Sequence, residues 1–246
     1  MEHGGGQGIV PIVTVRTVAE TGSTNADMIA LAASGAEEGM WLRAERQTAG
    51  RGRQGRAWQS PPGNLYASTL VRLRPEDPPP ATLALVAAVA LEEVVSAYLG
   101  HQAARLKWPN DLLLGGAKLS GILLERSGDA IVIGFGVNLA HHPVDLDRPA
   151  TNLAAHGVTP DPDDFVATLG EAVARWVGRW RGEGLGPVRD RWTLRAHPSG
   201  TALTARLPDG SALDGIFERL DNDGALILRL ADGTARVIHA GDVFLI

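Results

Sequence analysis

Nine residues, GRGRQGRAW from Gly50 to Trp58, alternate glycine with arginine. Glycines at 50, 52 and 55 let a backbone approach a ligand closely and present N–H groups to an anion. Arg51, Arg53 and Arg56 add planar guanidinium forks that match carboxylate and phosphate oxygens. The chemistry on offer is the gripping of anions. It is not that of a P-loop, because no GK[ST] closes the run, and the strand-then-helix setting of a dinucleotide fingerprint is missing. A second signal lies in the lysines. Of 23 basic residues only Lys107 and Lys118 are lysines, which marks places where a compact ammonium cannot be exchanged for a guanidinium fork. Lys107 opens KWPND, which also carries Asn110 and Asp111, and Lys118 lies in AKLSGIL three residues before Gly121. GFGVNLA supplies Gly134, Gly136 and Asn138, GSTN supplies Ser23, Thr24 and Asn25, and Gln47 precedes the Gly/Arg run.

These residues need a frame. IVPIVTVRTV (9–18) is β-branched and reads as a strand. The N-cap types of GSTN lead into an apolar run that stops near Gly35, as a helix would. Residues 41–47 form a strand entering the Gly/Arg loop, and 64–73 one leaving it. The stretch 81–99 is a helix apolar nearly all round, hence central and buried. From 104 to 139 the pattern is a β-meander, with hairpin turns at Gly115-Gly116 and across Arg126–Asp129. A further helix, 163–180, carries Phe165, Leu169, Val173, Trp176 and Trp180 at near-helical spacing. Locally pairing strands mixed with helices predict an α+β fold. In the last fifty residues, turn signals at 208–210, 221–224, 231–233 and 240–242 separate short alternating runs, which predict a small all-β barrel or sandwich. The expected division is a loose tail and first strand (1–20), a main domain (21–196) and a β domain (197–246), with the boundary near Ala196-His197-Pro198.

Composition narrows the function. A net charge of −5 argues against general electrostatic capture of nucleic acid, and the absence of cysteine excludes disulfides, thiolate metal sites and a cysteine nucleophile. The start, MEHGGGQG, has no basic and apolar leader, and the longest apolar run, Leu83–Leu91, falls short of the roughly 20 residues of a membrane span. The expected location is the cytoplasm, with no membrane partner. His141-His142 reads as a loop pair, since no acidic or histidine partner stands at ligand spacing, and no metal site is assigned to the side chains. Glu92-Glu93 and the Arg175/Arg179/Arg181 cluster read as solvated helix faces.

GSTN, ERQTAGRGRQGRAW (45–58), LKWPNDLLLGGAKLSGILLE (106–125) and GFGVNLA, in this order and spacing, resemble the biotin protein ligases. The resemblance covers most of residues 20–155 and continues more loosely to the C-terminus. It implies a mixed or antiparallel central sheet with flanking helices, of the class II aminoacyl-tRNA synthetase/biotin ligase type, followed by an SH3-like β-barrel. It also implies a reaction. Biotin and ATP, with Mg²⁺, give biotinyl-5′-AMP and pyrophosphate, and the acyl group passes to one lysine of the carboxyl carrier protein domain of a biotin-dependent carboxylase. By the same resemblance Lys118 binds the biotin carboxylate and the α-phosphate, and a point charge between two anions offsets their repulsion. Gly121 leaves the ligand room. Arg53, with Gly50, Arg51 and Gly52, clamps the adenylate; Lys107 and Asn110 contact the nucleotide; Asn138, after Gly134 and Gly136, faces the phosphates or metal. Ser23, Thr24, Asn25 and Gln47 line the pocket of the neutral ureido ring. Asp111 stays open between holding Mg²⁺, orienting Lys107 and relieving the incoming lysine of its proton. One departure is visible: Ala150 stands where some members stack adenine on an aromatic residue.

Lipoate and octanoate ligases and transferases are the nearest alternatives, but the octanoyl enzymes use a cysteine and lipoate ligases are not known for KWPND. A nucleic-acid-binding module with an Arg-rich loop is the alternative from another class. Only residues 1–21 precede GSTN, too few for a helix-turn-helix, so no sequence-specific DNA binding is expected. The oligomeric state stays open, a homodimer included.

Overall fold

The computed structural model describes residues 13–100, 104–144 and 148–245. Strand β1 (Thr14–Thr21) leads through helix α1 (Thr24–Ala33) into β2 (Met40–Gln47), and β3 (Leu65–Arg72) follows the Gly/Arg loop. Helix α2 (Leu83–Leu99) precedes a meander of β4 (Ala104–Lys107), β5 (Asp111–Leu114), β6 (Ala117–Ser127) and β7 (Ala130–Val137). Helices α3 (Pro162–Glu183) and α4 (Gly186–Arg195) end this part. Its seven strands form one sheet in the order β1-β2-β3-β7-β6-β5-β4. Only β1 and β2 run parallel; the other neighbours are antiparallel, so the sheet is mixed. The first strand lies later than the 9–18 expected, and residues 9–12 of that expectation fall outside the described residues. The second hairpin turn narrows to Gly128-Asp129.

The two faces of the sheet differ in kind. Ile131, Ile133, Phe135 and Val137 of β7 enter the main core with α2, α3 and α4. Alternation sends Ala130 and Val132 to the other face, where they pack with Met28 and Ala32 of α1. Further along that face β7 offers only Gly134 and Gly136, so the sheet there is bare. The stretch Pro80–Leu99 is long and apolar enough to cross a membrane, yet 72% of its most apolar window is buried inside this fold.

Two readings of charged residues need correction. Glu92 is fully buried rather than solvated, because α2 is surrounded; it pairs with Arg191 at 2.8 Å and Arg195 at 3.4 Å and accepts from Ser96. Those arginines belong to α4, a helix the sequence reading missed. Arg181 is likewise not part of a free basic face, since it ties α3 to Glu38 and Asp77. Arg175 pairs with Glu93, and Arg179 with Glu183.

After α4 come β8 (Ala202–Arg206), β9 (Ala212–Leu220), β10 (Leu226–Arg229), β11 (Ala235–Ile238) and β12 (Asp242–Leu245). They form a separate antiparallel sheet, β11-β10-β9-β8-β12, and among the described residues no pairing closes β11 onto β12. Its contacts with the rest of the fold are specific: Trp108 Nε1, in the turn between β4 and β5, donates to Gly224 O at 3.2 Å, and Trp192 of α4 meets Phe217 edge to face.

His197 lies in the link between the sheets, with Nε2 buried and no hydrogen-bond partner among the described residues. Burial, and then the charges of Arg105 and Lys107, hold its pKa below the ordinary 6.5. The unfolded chain therefore takes up this proton first. Stability from the neutral ring is complete above 6.5 and is lost as pH falls through the lower folded value. His197→Gln should flatten the fall in unfolding midpoint between neutral and mildly acidic pH. Identical pH slopes for the two proteins would remove His197 as a source of acid lability.

Candidate functional site

A cavity of about 600 Å³ opens over the bare part of the large sheet, between it, the Gly/Arg loop and the edge strand β12. The resemblance nominated sixteen residues, of which all but Gly50 and Asn138 line it. Gly50 supports the neck of the loop, where a Cβ would come within 2.7 Å of Ser60 Oγ and Trp58 O. Asn138 is buried and spends its amide on Thr151 O at 3.0 Å, clamping the chain that follows β7 instead of facing the cavity.

One end of the cavity is neutral and polar. The N-terminus of α1 brings Ser23, Thr24 and Asn25 together. Ser23 caps the helix by accepting from Ala26 N, at a long 3.5 Å. Gln47 Oε1 accepts from Thr24 N at 2.8 Å and from Thr24 Oγ1 at 3.1 Å, while its amide donates to Ser60 Oγ. Asn25 donates to Glu125 Oε2 at 2.8 Å and accepts from Ser68 Oγ at 2.6 Å. Ser68, fully buried, was not foreseen; a lone serine inside an apolar strand carries no mark of its role. Gly134 makes room for Asn25, whose Oδ1 would be 2.1 Å from a Cβ there.

Next comes an aromatic platform. Gly121 of β6 and Gly136 of β7 are register partners, and the ring of Trp58 lies over both. A Cβ on Gly136 would be 2.5 Å from Trp58 Cε2, and one on Gly121 3.3 Å from Cζ3. Trp58 Nε1 is buried, with no hydrogen-bond partner among the described residues.

Beyond the platform the cavity becomes charged. Gly115 and Gly116, both at positive φ, form the turn that a two-residue hairpin requires. The ladder then slips by one residue, pairing Leu113 with Lys118 but Leu112 with Ser120. In a regular strand Lys118 and Gly121 would face opposite ways; the bulge puts both on the cavity face with Asp111, the partner of Gly121. Lys118 Nζ reaches Asp111 Oδ1 at 2.6 Å and lies 5.6 Å from the Trp58 ring centre. Lys107, paired in register with Asp111 across the KWPND turn, approaches its other oxygen at 3.6 Å. Burial pushes the Lys107 pKa down, and the nearby Arg148 and Lys118 add to this against the opposing pull of Asp111. An anion arriving here would reverse that penalty.

The Gly/Arg loop is a small hairpin, with Gly52 N donating to Arg56 O at 2.7 Å and Arg51 bridged to Ala57. Arg53 Nη1 reaches Asn110 Oδ1 at 3.3 Å and Gly241 O at 3.1 Å. Asn110 is itself fixed by donating to Ile122 O at 2.6 Å. Ala150 lies in a short parallel bridge beside Lys118. The residues that sequence reasoning missed come largely from outside the motifs: Arg148, Arg206, Asp242 and Phe244. No three His, Cys, Asp or Glu side chains cluster among the described residues. Asp111 is engaged by two lysines and Asp242 by arginines, so Mg²⁺ fits here as an ion carried on substrate phosphates, not as one held in a protein cage.

A sheet-borne cavity that runs from neutral hydrogen-bonding groups to paired lysines and arginines suits a ligand that joins a neutral head to an acyl phosphate. Comparison with known proteins agrees. Residues 22–138 match the biotin/lipoate A/B protein ligase family, and residues 199–246 match the biotin protein ligase C terminal domain. The chain is 42% identical to the biotin--[acetyl-CoA-carboxylase] ligase of Paracoccus denitrificans, across 92% of this chain and 98% of that protein. The fold is that of a biotin protein ligase from Aquifex aeolicus in complex with biotin and ATP, with a TM-score of 0.84 at 24% identity over 96% of this chain and 99% of that one. A biotin protein ligase of Leishmania major in complex with biotinyl-5-AMP has a TM-score of 0.67 at 27% identity, covering 92% and 99%. The chain belongs to the biotin protein ligases of the biotin/lipoate A/B protein ligase family.

Proposed function

We propose that this protein is an ATP-dependent biotin protein ligase that forms biotinyl-5′-AMP and passes the biotinyl group to a lysine of a biotin carboxyl carrier protein domain. The observation that carries the reading is the Lys118–Asp111 pair at 2.6 Å, placed between the neutral end of the cavity and its cationic end. The neutral ureido head lies among Thr24, Gln47 and Ser23, where leaving its polar groups buried and unpaired would cost about 1–3 kcal/mol each. Trp58 covers the apolar body of the ligand. Lys118 draws the carboxylate and the α-phosphate together, and Asp111 positions both lysines. Mg²⁺, bound as part of the ATP substrate, would supply screening of the phosphate charge beside Lys107 and the arginines. When the acyl group is transferred, the amine of the carrier lysine attacks the mixed anhydride and AMP leaves. The boundary near Ala196-His197-Pro198, the SH3-like character of the C-terminal sheet, a cytoplasmic location and the lack of sequence-specific DNA binding belong to the same reading. Incubation with biotin, ATP, Mg²⁺ and a carrier domain should add one biotinyl mass to one carrier lysine. An unchanged carrier mass, with a carrier domain that another ligase does modify, would exclude it.

The loop contacts sharpen one expectation. Arg53 links the loop to KWPND and to the C-terminal sheet, so Arg53→Ala should loosen the lid over the intermediate. Labelling of bystander lysines by escaped adenylate should rise about tenfold, the loss expected from one charge-assisted contact. Slower adenylation without escape would make Arg53 a ligand of ATP only.

A further inference from the structure

Among the described residues, seven lysine and arginine side chains line the cavity against two carboxylates, in a chain whose net charge is −5. The excess is concentrated at the end bounded by the C-terminal sheet. There Asp242, the first residue of the edge strand β12, accepts from Arg53 at 3.2 Å and Arg56 at 2.7 Å, with Arg148 at 4.0 Å. Arg206 of β8 is its direct partner across the ladder, so the two side chains share a face. Phe244, two residues on and on that same face, has the guanidinium carbon of Arg148 at 4.0 Å and that of Arg206 at 4.9 Å from its ring centre. Lys107 is 5.9 Å from the same centre. Burial raises the Asp242 pKa, but hydrogen bonding from Arg56 and the charges of Arg56, Arg53 and Arg148 outweigh it and hold the group below the usual carboxylate range. Among the described residues a single carboxylate stands against these guanidiniums, a surplus of positive charge that calls for a multiply charged anion.

The adenylation reaction supplies such an anion. As a biotin carboxylate oxygen bonds to the α-phosphorus, the bond from that phosphorus to the bridging oxygen breaks, and pyrophosphate leaves with the electron pair; nothing is oxidised or reduced. We propose that Arg148 and Arg206 seat the terminal phosphates of ATP and the departing pyrophosphate, and that Asp242 is the internal anion which those phosphates displace from the loop arginines. The proposal rests on the ligase reading for the identity of the anion. Its geometry follows from the order of contacts along the cavity: Gln47 and Trp58, then Lys118, Asp111 and Lys107, then Phe244 with its arginines. Without phosphate, Asp242 ties the Gly/Arg loop to the C-terminal sheet. With phosphate bound, the arginines turn to the ligand and that tie is exchanged for one through the substrate.

Neighbouring residues should then act with opposite signs. Inorganic pyrophosphate, titrated calorimetrically into the full chain in Mg²⁺ buffer, is the probe. Arg206→Ala and Arg148→Ala should each weaken its binding about tenfold, as expected for loss of a charge-assisted contact. Asp242→Asn, nearly isosteric, should tighten it about fivefold by removing the competing charge. Biotin affinity, read by the same method, should move in none of the three. Arg206 is exposed, so its removal leaves the core alone. Unchanged affinity in both arginine variants, absence of pyrophosphate binding by the wild type, or weaker binding by Asp242→Asn (the result if it held Mg²⁺) would overturn the proposal. Adenylate formation from biotin and ATP is followed separately. Its absence alongside the stated titrations would strike the ligase reading and leave the anion seat standing.

Discussion

Lys118→Ala should lower the rate of pyrophosphate release from biotin and ATP by about a thousandfold, the order lost when one preorganised group aimed at developing charge is removed. Two anions must touch for the adenylate to form, and Lys118 is the cation placed between the neutral and the phosphate-binding halves of the cavity. Lys118→Arg should fail nearly as badly although it keeps the charge. The ammonium stands 2.6 Å from Asp111 and would be 3.3 Å from a Cβ on Gly121, so its surroundings are shaped to a point charge. A longer planar fork has to enter the space of Trp58 or of the ligand. Pyrophosphate release near the wild-type rate in either variant would refute this role.

Gly136→Val carries the second large effect. Its Cβ would lie within 2.5 Å of the Trp58 ring, and the neighbouring strands β3 and β6 leave the backbone no freedom to retreat. Overpacking of this kind costs about 1–3 kcal/mol, and because the indole is the movable partner the cost falls on the pocket. Biotin affinity should drop about 10- to 100-fold, with far-UV circular dichroism unchanged and Trp58 displaced. Affinity within twofold of wild type would show that Trp58 and its glycine platform are not a wall of the biotin site.

The parts of the site written in residue type were legible from sequence: glycine and arginine in the loop, two scarce lysines, the Gly-Gly turn that brings Lys118 back beside Asp111. The parts that depend on pairing were not. Alternation alone puts Lys118 and Gly121 of β6 on opposite faces, and only the slipped register against β5 reveals the bulge. Helix α4 went unseen because Pro187 and a run of arginines mask it and only Val188 and Trp192 are buried. With α4 unseen, Glu92 had no partner in the sequence and passed for a solvated charge. Asp242 closed a turn signal and Phe244 lay in the short alternating run after it, but the face of that strand which meets the larger sheet is decided by docking across Trp108 and Gly224, far apart in the chain.

The bare end of β7 also has an evolutionary reading. The hollow over Gly134 and Gly136 is defined by side chains that do not exist, and the atoms nearest those positions belong to Asn25 and Trp58. Every substitution at either glycine adds matter, and none removes any. Drift at these codons can therefore narrow the range of accepted acids but never broaden it. A ligase of this lineage that came to activate a bulkier acid would have to gain the space elsewhere, by shortening Trp58 or by shifting the loop that carries it.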